Sequence, residues 1–184
     1  MRISEIAILE ELQKTKIYID MDGVLANFFA EYAKLAGITS GNYRDVPLDK
    51  NDPTLNKMIG TDFFARIPMF DSAPGLINLV LQYVPFYNIN TSPLRGDHAN
   101  SEQHKKVWIQ KNLPIQPKEL IITDRKWKWA KQSDGTPNIL IDDRTKIIQQ
   151  WQQEGGYGIK FQADEDTLSV VKQGLDAFYF NEEN

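Results

Sequence analysis

The sequence predicts an α/β fold of three layers, a parallel sheet between helices, and three patterns predict it. Short β-rich apolar runs recur at 17–20, 86–90, 120–123, 138–142 and 158–161. Segments of helical character separate them, so the strands should run parallel with right-handed crossovers. Several runs also end in polar or charged residues: Asp20 and Asp22, Thr91 and Ser92, Asp124 to Lys126, and Asp142 and Asp143. Ligands of parallel α/β sheets sit beyond the carboxyl ends of the strands, so these ends point to one shared site.

Taken in order, Ile3, Ile6, Ala7, Leu9 and Leu12 form the stripe of a short N-terminal helix. A buried strand follows at 16–20. Residues 24–36 read as a helix closed by Gly37. Gly41, Asn42, Pro47, Asn51, Asp52 and Pro53 then break all periodicity. This stretch reads as an insertion of loops and short helices, continuing through 56–59 and 62–66 to Phe70. Pro74 suits the first turn of a helix reaching Tyr83. The strand at 86–90 leads into the turn Thr91-Ser92-Pro93. Residues 98–112 form a helix with Val107, Trp108 and Ile109 on or near its buried side. Strands at 120–123 and 138–142, a helix at 143–154 and a strand at 158–161 follow. A last helix spans 164–178, with Asp164 as its N-cap.

Bulk composition narrows the function classes. A chain of 184 residues can bury a real core, and 41% hydrophobic with 25% charged residues is ordinary for a globular protein. The net charge of −4 argues against a general polyanion-binding surface. Without cysteine there is neither a disulfide framework nor a thiolate zinc site, and two histidines, His98 and His104, are too few for a histidine-built metal centre. The N-terminus lacks the long apolar core of a signal peptide, and no stretch approaches the ~20 apolar residues of a membrane span. The expected location is the cytoplasm, with no membrane partner.

Each constellation carries a chemical and a bland reading. Asp20 and Asp22, one spacer apart and followed by Gly23, make either a metal and nucleophile site or a strand-ending Asp-Gly turn. Asp142 and Asp143 suit a metal site or the start of the next helix. If the two strands are neighbours, four carboxylates meet in one crevice. Like charges at 4 Å repel by roughly 4 kcal/mol at an effective dielectric of about 20, which a hard divalent cation, Mg²⁺ first, would relieve. Thr91 and Ser92 suit a phosphate oxygen or an ordinary Ser/Thr turn. The basic, aromatic run Asp124 to Trp129 reads as a solvated loop, as a nucleic-acid stacking platform, or as the source of a phosphate-neutralising lysine. Lys105 and Lys106 could contribute, although helix lysines are usually solvated. Phe28, Phe29, Phe63 and Phe64 make either core packing or an apolar slot for a planar base or sugar.

The order Asp20-Met21-Asp22-Gly23-Val24, then Thr91-Ser92-Pro93, then Lys105 three residues before Trp108, then Thr123 to Lys126, then Ile141-Asp142-Asp143-Arg144, resembles the haloacid dehalogenase superfamily of phosphotransferases. The closest subgroup looks like the 5′(3′)-deoxyribonucleotidases, and the resemblance spans residues 16–161. It implies a Rossmann-like core at 1–26 and 74–184, with a small helical cap inserted at 27–73. It also implies a Mg²⁺-dependent phosphomonoester hydrolase acting on (deoxy)nucleoside 5′- or 3′-monophosphates through an aspartyl-phosphate. Asp20 would be the nucleophile and Asp22 the acid/base. Asp20, Asp142 and the Asp22 backbone carbonyl would hold Mg²⁺, with Asp143 at or near the metal. Thr91 and Lys126 would bind the phosphoryl group, with Ser92 and Lys105 close by and Lys128 a rival for the Lys126 role. Phe28 and one of Phe63 or Phe64 would contact the nucleoside. Other small phosphate esters and a nucleic-acid 3′-phosphate end are the rival substrates; nucleic acid is not favoured, and a homodimer is compatible with the chain. A binding or regulatory protein that keeps the fold without turnover is the rival class, disfavoured because nucleophile, acid/base, lysine and metal acids are all present.

Overall fold

The computed structural model describes residues 14–38 and 52–180. The expected N-terminal helix and most of the loop region at 38–56 lie outside the described residues. Five strands form one sheet: β1 (Ile17–Ile19), β2 (Asn88–Thr91), β3 (Leu120–Ile122), β4 (Ile139–Asp142) and β5 (Tyr157–Lys160). Their order is β3-β2-β1-β4-β5, with every pairing parallel. The predicted neighbours at 17–20 and 138–142 do pair: Ile19 lies in register with Ile141, and Asp20 N–H donates to the Ile141 carbonyl at 2.9 Å.

Alternation along the strands sorts the core into two faces, as the period of a pleated strand requires. Ile17, Ile19, Ile89, Ile139, Ile141 and Ile159 join one large apolar cluster, while Tyr18 and Leu140 join a second. Helices α4 (Ala73–Val80), α5 (His98–Asn112) and α7 (Leu168–Phe180) supply Leu76, Ile77, Trp108, Ile109, Val171 and Leu175 to the first. Helix α6 (Thr145–Gln153) supplies Ile148 and Trp151 to the second, where Ala130 and Trp129 also pack, at the end of the 3₁₀ turn Lys126–Trp129. Full burial of side chains of this size contributes roughly 1.5–3 kcal/mol each, and both faces of the sheet are thereby covered by helix.

The described parts of the insertion are α1 (Phe28–Ala36), α2 (Pro53–Asn56) and α3 (Phe63–Arg66). They leave and return through one stem. Ala26 bridges Met69 in antiparallel fashion, Asn27 N–H donates to the Pro68 carbonyl at 2.8 Å, and Phe70 N–H to the Leu25 carbonyl at 2.9 Å. Phe28, Tyr32, Met58, Phe63 and Phe64 extend the large core cluster. Helix α3 packs along α5, where the Trp108 indole donates to the Ile67 carbonyl at 2.6 Å.

Three expected elements shift. The helix after β1 begins at Phe28, capped by Asn27, instead of at Val24. The intervening residues close a tight turn in which the N–H groups of Leu25 and Ala26 both reach the Met21 carbonyl, at 2.9 and 2.8 Å. Asp164 is not an N-cap, because the helix starts at Leu168; Asp166 instead accepts from Gln162 N–H at 2.8 Å in a preceding turn. On α5, Trp108 and Ile109 are buried but Val107 is exposed. The buried face is Ser101, Lys105, Trp108 and Ile109, so helical phase places Val107 outward.

Candidate active site

All five strands share a direction, so their carboxyl ends lie along one edge. Asp20 follows β1, Thr91 ends β2, Thr123 follows β3 and Asp142 ends β4. Lys126 reaches this edge from the 3₁₀ turn after β3 and is buried there. Its ammonium contacts Asp20 Oδ1 at 2.8 Å and Asp142 Oδ2 at 2.7 Å. Both carboxylates receive a backbone hydrogen bond as well: Asp20 Oδ1 from Met21 N–H at 2.8 Å, Asp142 Oδ1 from Arg144 N–H at 2.9 Å. Lys128, the rival lysine, is exposed, as are Asp124 and Arg125.

A second buried lysine lies beside the first group. Lys105 has 0% exposure, although a helix lysine is expected in solvent; its neighbour Lys106 meets that expectation, pairing with Glu102 at the surface. The Lys105 ammonium contacts Asp22 Oδ2 at 2.5 Å and Thr91 Oγ1 at 3.1 Å. It also lies 4.7 Å from the centroid of the Phe64 ring, within cation–π reach. Ser92, next along the chain, is partly buried.

The expected meeting of four carboxylates becomes a group of three. Ligand atoms of Asp20, Asp142 and Asp143 lie within 4.8 Å of one another. The Asp22 carboxylate turns to Lys105 instead. An extended chain would put it beside Asp20, but β1 ends at Ile19 and the backbone turns at Gly23, whose φ is +79°. Asp143 is admitted to the group by that glycine, since a β-carbon at Gly23 would overlap its carboxylate.

The electrostatics follow from burial and crowding. Burial raises the Asp143 carboxyl well above its ordinary range, and the charges of Asp20 and Asp142 push it further. Asp142 is also raised by burial and by Asp20, against the opposing pull of Lys126. Asp22 is raised by burial; Lys105 pulls it down and Asp20 pushes it up. For Lys126 burial acts downward, but Asp142 and Asp20 outweigh it and its pKa rises.

A hard divalent cation fits this donor set. Asp143 Oδ1 is buried without a hydrogen-bond partner, three carboxylate oxygens are grouped, and burial with the neighbouring acids raises Asp142 and Asp143. Oxygen donors of this kind suit Mg²⁺.

Phe28, Phe63 and Phe64 are 9%, 3% and 3% exposed and pack against one another, Phe28 lying 5.7 Å from Phe63 and 6.3 Å from Phe64 between ring centroids. Phe64 alone of the three touches a polar group of the site, through Lys105. Trp127 and Trp129 are half-buried.

Three polar residues make tertiary hydrogen bonds to which the sequence assigns no role, although Asn88 and Asn90 stand out there as unusually polar for a buried strand. Asn90 is fully buried in β2 and donates from Nδ2 to the Lys126 carbonyl at 3.4 Å, and Asn88 donates to the Ile17 carbonyl at 3.2 Å. Two asparagines on one face of a buried strand were the signal. Asp97 Oδ2 accepts from Gly60 N–H at 2.8 Å and from Asn100 Nδ2 at 2.9 Å, tying the insertion to α5; no sequence pattern marks it.

Among the described residues, no helix is long and apolar enough to cross a membrane. No protein-family model and no curated protein matches the sequence. Solved structures do match. A hydrolase from Streptococcus pneumoniae is similar at 15% identity with a TM-score of 0.52, over 89% of this chain and 99% of that one. A haloacid dehalogenase-like family protein from the same organism aligns at 11% identity and a TM-score of 0.49, over 91% of each chain. A HAD family hydrolase from Deinococcus radiodurans, with bound phosphate and sodium, aligns at 12% identity and a TM-score of 0.48, over 89% of each chain. At such identities the likeness speaks to fold alone. It is carried by the first of the three: the five-stranded parallel α/β architecture is shared with a hydrolase along nearly the whole of both chains.

Proposed function

We propose that this protein is a Mg²⁺-dependent phosphomonoester hydrolase of haloacid dehalogenase type, working through an aspartyl-phosphate on Asp20. One observation carries the reading: two buried lysines divide the opening acid pair between them, Lys126 holding Asp20 and Lys105 holding Asp22. Adjacent carboxylates in different settings can take different roles.

Asp20, oriented by Met21 N–H and Lys126, is the nucleophile. Asp22 gives a proton to the departing alcohol and later takes one from the attacking water. Thr91 and Lys126 face the phosphoryl group, with Ser92 beside them. Asp20, Asp142 and Asp143 would hold the cation, together with the Asp22 backbone carbonyl. When bound there, its charge would offset those of the acidic group and the phosphoryl oxygens. Positioning and charge matter because phosphate-monoester hydrolysis is extremely slow uncatalysed, with accelerations reaching ~10²¹-fold.

For substrate, the reading is a small (deoxy)nucleoside monophosphate. Support comes from Phe64, whose ring lies 4.7 Å from the Lys105 ammonium at the edge of the site, with Phe28 and Phe63 packed behind it in the core. A 3′-phosphorylated nucleic-acid end is the second reading. It is favoured by exposed Arg125 and Lys128 flanking half-buried Trp127 on the turn that carries Lys126.

The test is phosphate release, with and without Mg²⁺, from deoxy- and ribonucleoside 5′- and 3′-monophosphates, sugar phosphates and a 3′-phosphorylated oligonucleotide. Turnover should need Mg²⁺, favour the mononucleotides and vanish in Asp20→Asn. Full activity in Asp20→Asn would refute the nucleophile, and turnover confined to sugar phosphates would refute the nucleotide substrate.

A further inference from the structure

Lys105 is a charged side chain with no exposed surface, reaching from the middle of α5 to the carboxyl edge of the sheet. An ammonium group has three N–H donors and no acceptor. Its surroundings match that inventory: Asp22 Oδ2 at 2.5 Å, Thr91 Oγ1 at 3.1 Å, and the Phe64 ring at 4.7 Å. These partners come from the loop after β1, the end of β2, and α3 of the insertion. Both of its hydrogen bonds thus go to protein groups, and an aromatic ring stands beside it. The other oxygen of its partner is in the opposite condition, because Asp22 Oδ1 is buried without a hydrogen-bond partner.

We propose that Lys105 is a positioning residue for Asp22 and not a phosphate ligand: it clamps Oδ2 so that Oδ1 alone handles the proton. The inference rests on the phosphatase reading above and assigns Lys105 a part within it. In the first half-reaction the Asp20–phosphorus bond forms as the phosphorus–alkoxy bond breaks, and the proton on Asp22 Oδ1 passes to the departing oxygen. In the second, the water oxygen bonds phosphorus as the Asp20–phosphorus bond breaks, and one water proton returns to Oδ1. Net, one water is consumed, alcohol and phosphate are released, and Asp22 ends as it began. A carboxylate free to rotate would offer either oxygen, or neither, to that transfer. The Phe64 ring, 4.7 Å from the ammonium, brings α3 into contact with the clamp.

The experiment uses leaving groups that need the proton to different degrees. A deoxynucleoside 5′-monophosphate expels an alkoxide and depends on Asp22; p-nitrophenyl phosphate expels a stabilised phenolate and hardly does. Wild type, Lys105→Met and Lys105→Gln are compared on both. In Lys105→Met, kcat on the nucleotide should fall ~100-fold or more, with p-nitrophenyl phosphate changed less than about threefold and KM little changed on either. Lys105→Gln, which keeps an N–H donor for Asp22, should recover part of the nucleotide rate. Equal losses on both esters, or a loss residing in KM, would overturn the clamp in favour of a phosphate ligand or a purely structural ion pair. If a thermal melt shows Lys105→Met unfolded, Lys105→Gln against wild type is judged by the same leaving-group difference. Wild type inert toward both esters would refute the phosphatase reading itself, whereas an active wild type with uniform losses refutes only the clamp.

Discussion

Gly23 and Asp143 are in contact: a β-carbon on Gly23 would lie 2.5 Å from Asp143 Oδ2 and 2.7 Å from its Cγ. Gly23 also has a φ of +79°. Gly23→Ala therefore carries two penalties, roughly 1–2 kcal/mol of left-handed strain and the displacement of a proposed metal ligand. Gly37 is the control, with a φ of +70° and nothing within 4 Å. Both alanine variants should melt earlier than wild type. Only Gly23→Ala should need about 10–100-fold more Mg²⁺ for half-maximal activity. Identical Mg²⁺ titrations for the two variants would remove Asp143 from the metal site.

Lys126 carries the positive charge that lets Asp20 and Asp142 coexist in a buried place. Removing one partner of a buried ion pair costs about 3–5 kcal/mol. Lys126→Met should therefore be strongly destabilised in metal-free buffer. Added Mg²⁺ should restore part of the loss, because a cation then faces the same carboxylates, while activity stays abolished. Lys128→Met, at an exposed position, should behave as wild type. Calorimetric melts in chelator and in excess Mg²⁺ check this, and equal effects of the two substitutions would contradict it.

The insertion's attachment to α5 runs through Asp97, which accepts from Gly60 N–H and Asn100 Nδ2, while Asn100 Nδ2 also donates to the Thr61 carbonyl at 2.9 Å. Asp97→Ala should speed amide exchange over residues 58–66 about tenfold, the equivalent of a ~1.4 kcal/mol hydrogen bond. Exchange in β1, β2 and β4 should not change. Uniform acceleration across the sheet would mean the contact supports the whole fold instead.

Tyr83 and Lys172 hydrogen-bond the Asp176 carboxylate, each at 2.5 Å, joining the segment after α4 to α7. The Lys172 bond, then the Tyr83 bond, holds its carboxyl below the ordinary range. The folded protein thus binds that proton less tightly than the unfolded chain does. The stabilisation is complete above the unfolded value of ~3.9 and is lost as pH falls through the lower folded value. Asp176→Ala should lower Tm at pH 7, and the gap to wild type should close toward pH 3. A gap independent of pH would show that packing, not the carboxylate, matters here.

The strand ends were legible because an apolar run followed by Asp or Thr announces where a buried strand meets a crevice; Asp20, Thr91 and Asp142 lie where that pattern puts them. The start of α1 was not. Val24 and Leu25 share the helical phase of Phe28 and Tyr32, so periodicity runs through a turn that only the conformation of Gly23 reveals. Lys105 was harder still. The buried face of α5 includes Ser101 and Lys105, so an apolar pattern cannot report it. Nor does the sequence say which of Lys126 and Lys128 is buried beside Asp20 and Asp142; the 3₁₀ turn buries the first and exposes the second. Asp22 was misplaced for a local reason, the end of β1 at Ile19, three residues before it.

The two-stranded stem at Ala26 and Met69 has a consequence for how such a protein can change. The sheet meets everything between as a loop whose ends are already joined. Lengthening a loop with fixed ends costs only about 0.6 kcal/mol per doubling, so the chain between the two sides of the stem can change in length without re-registering a strand. Contacts with the rest of the chain limit that freedom, among them the Phe64 ring beside Lys105, the Ile67 carbonyl that accepts from Trp108, and the Gly60 N–H that donates to Asp97. On the proposed reading, a replacement that keeps them would change which ester is accepted and leave the chemistry assigned to Asp20 in place.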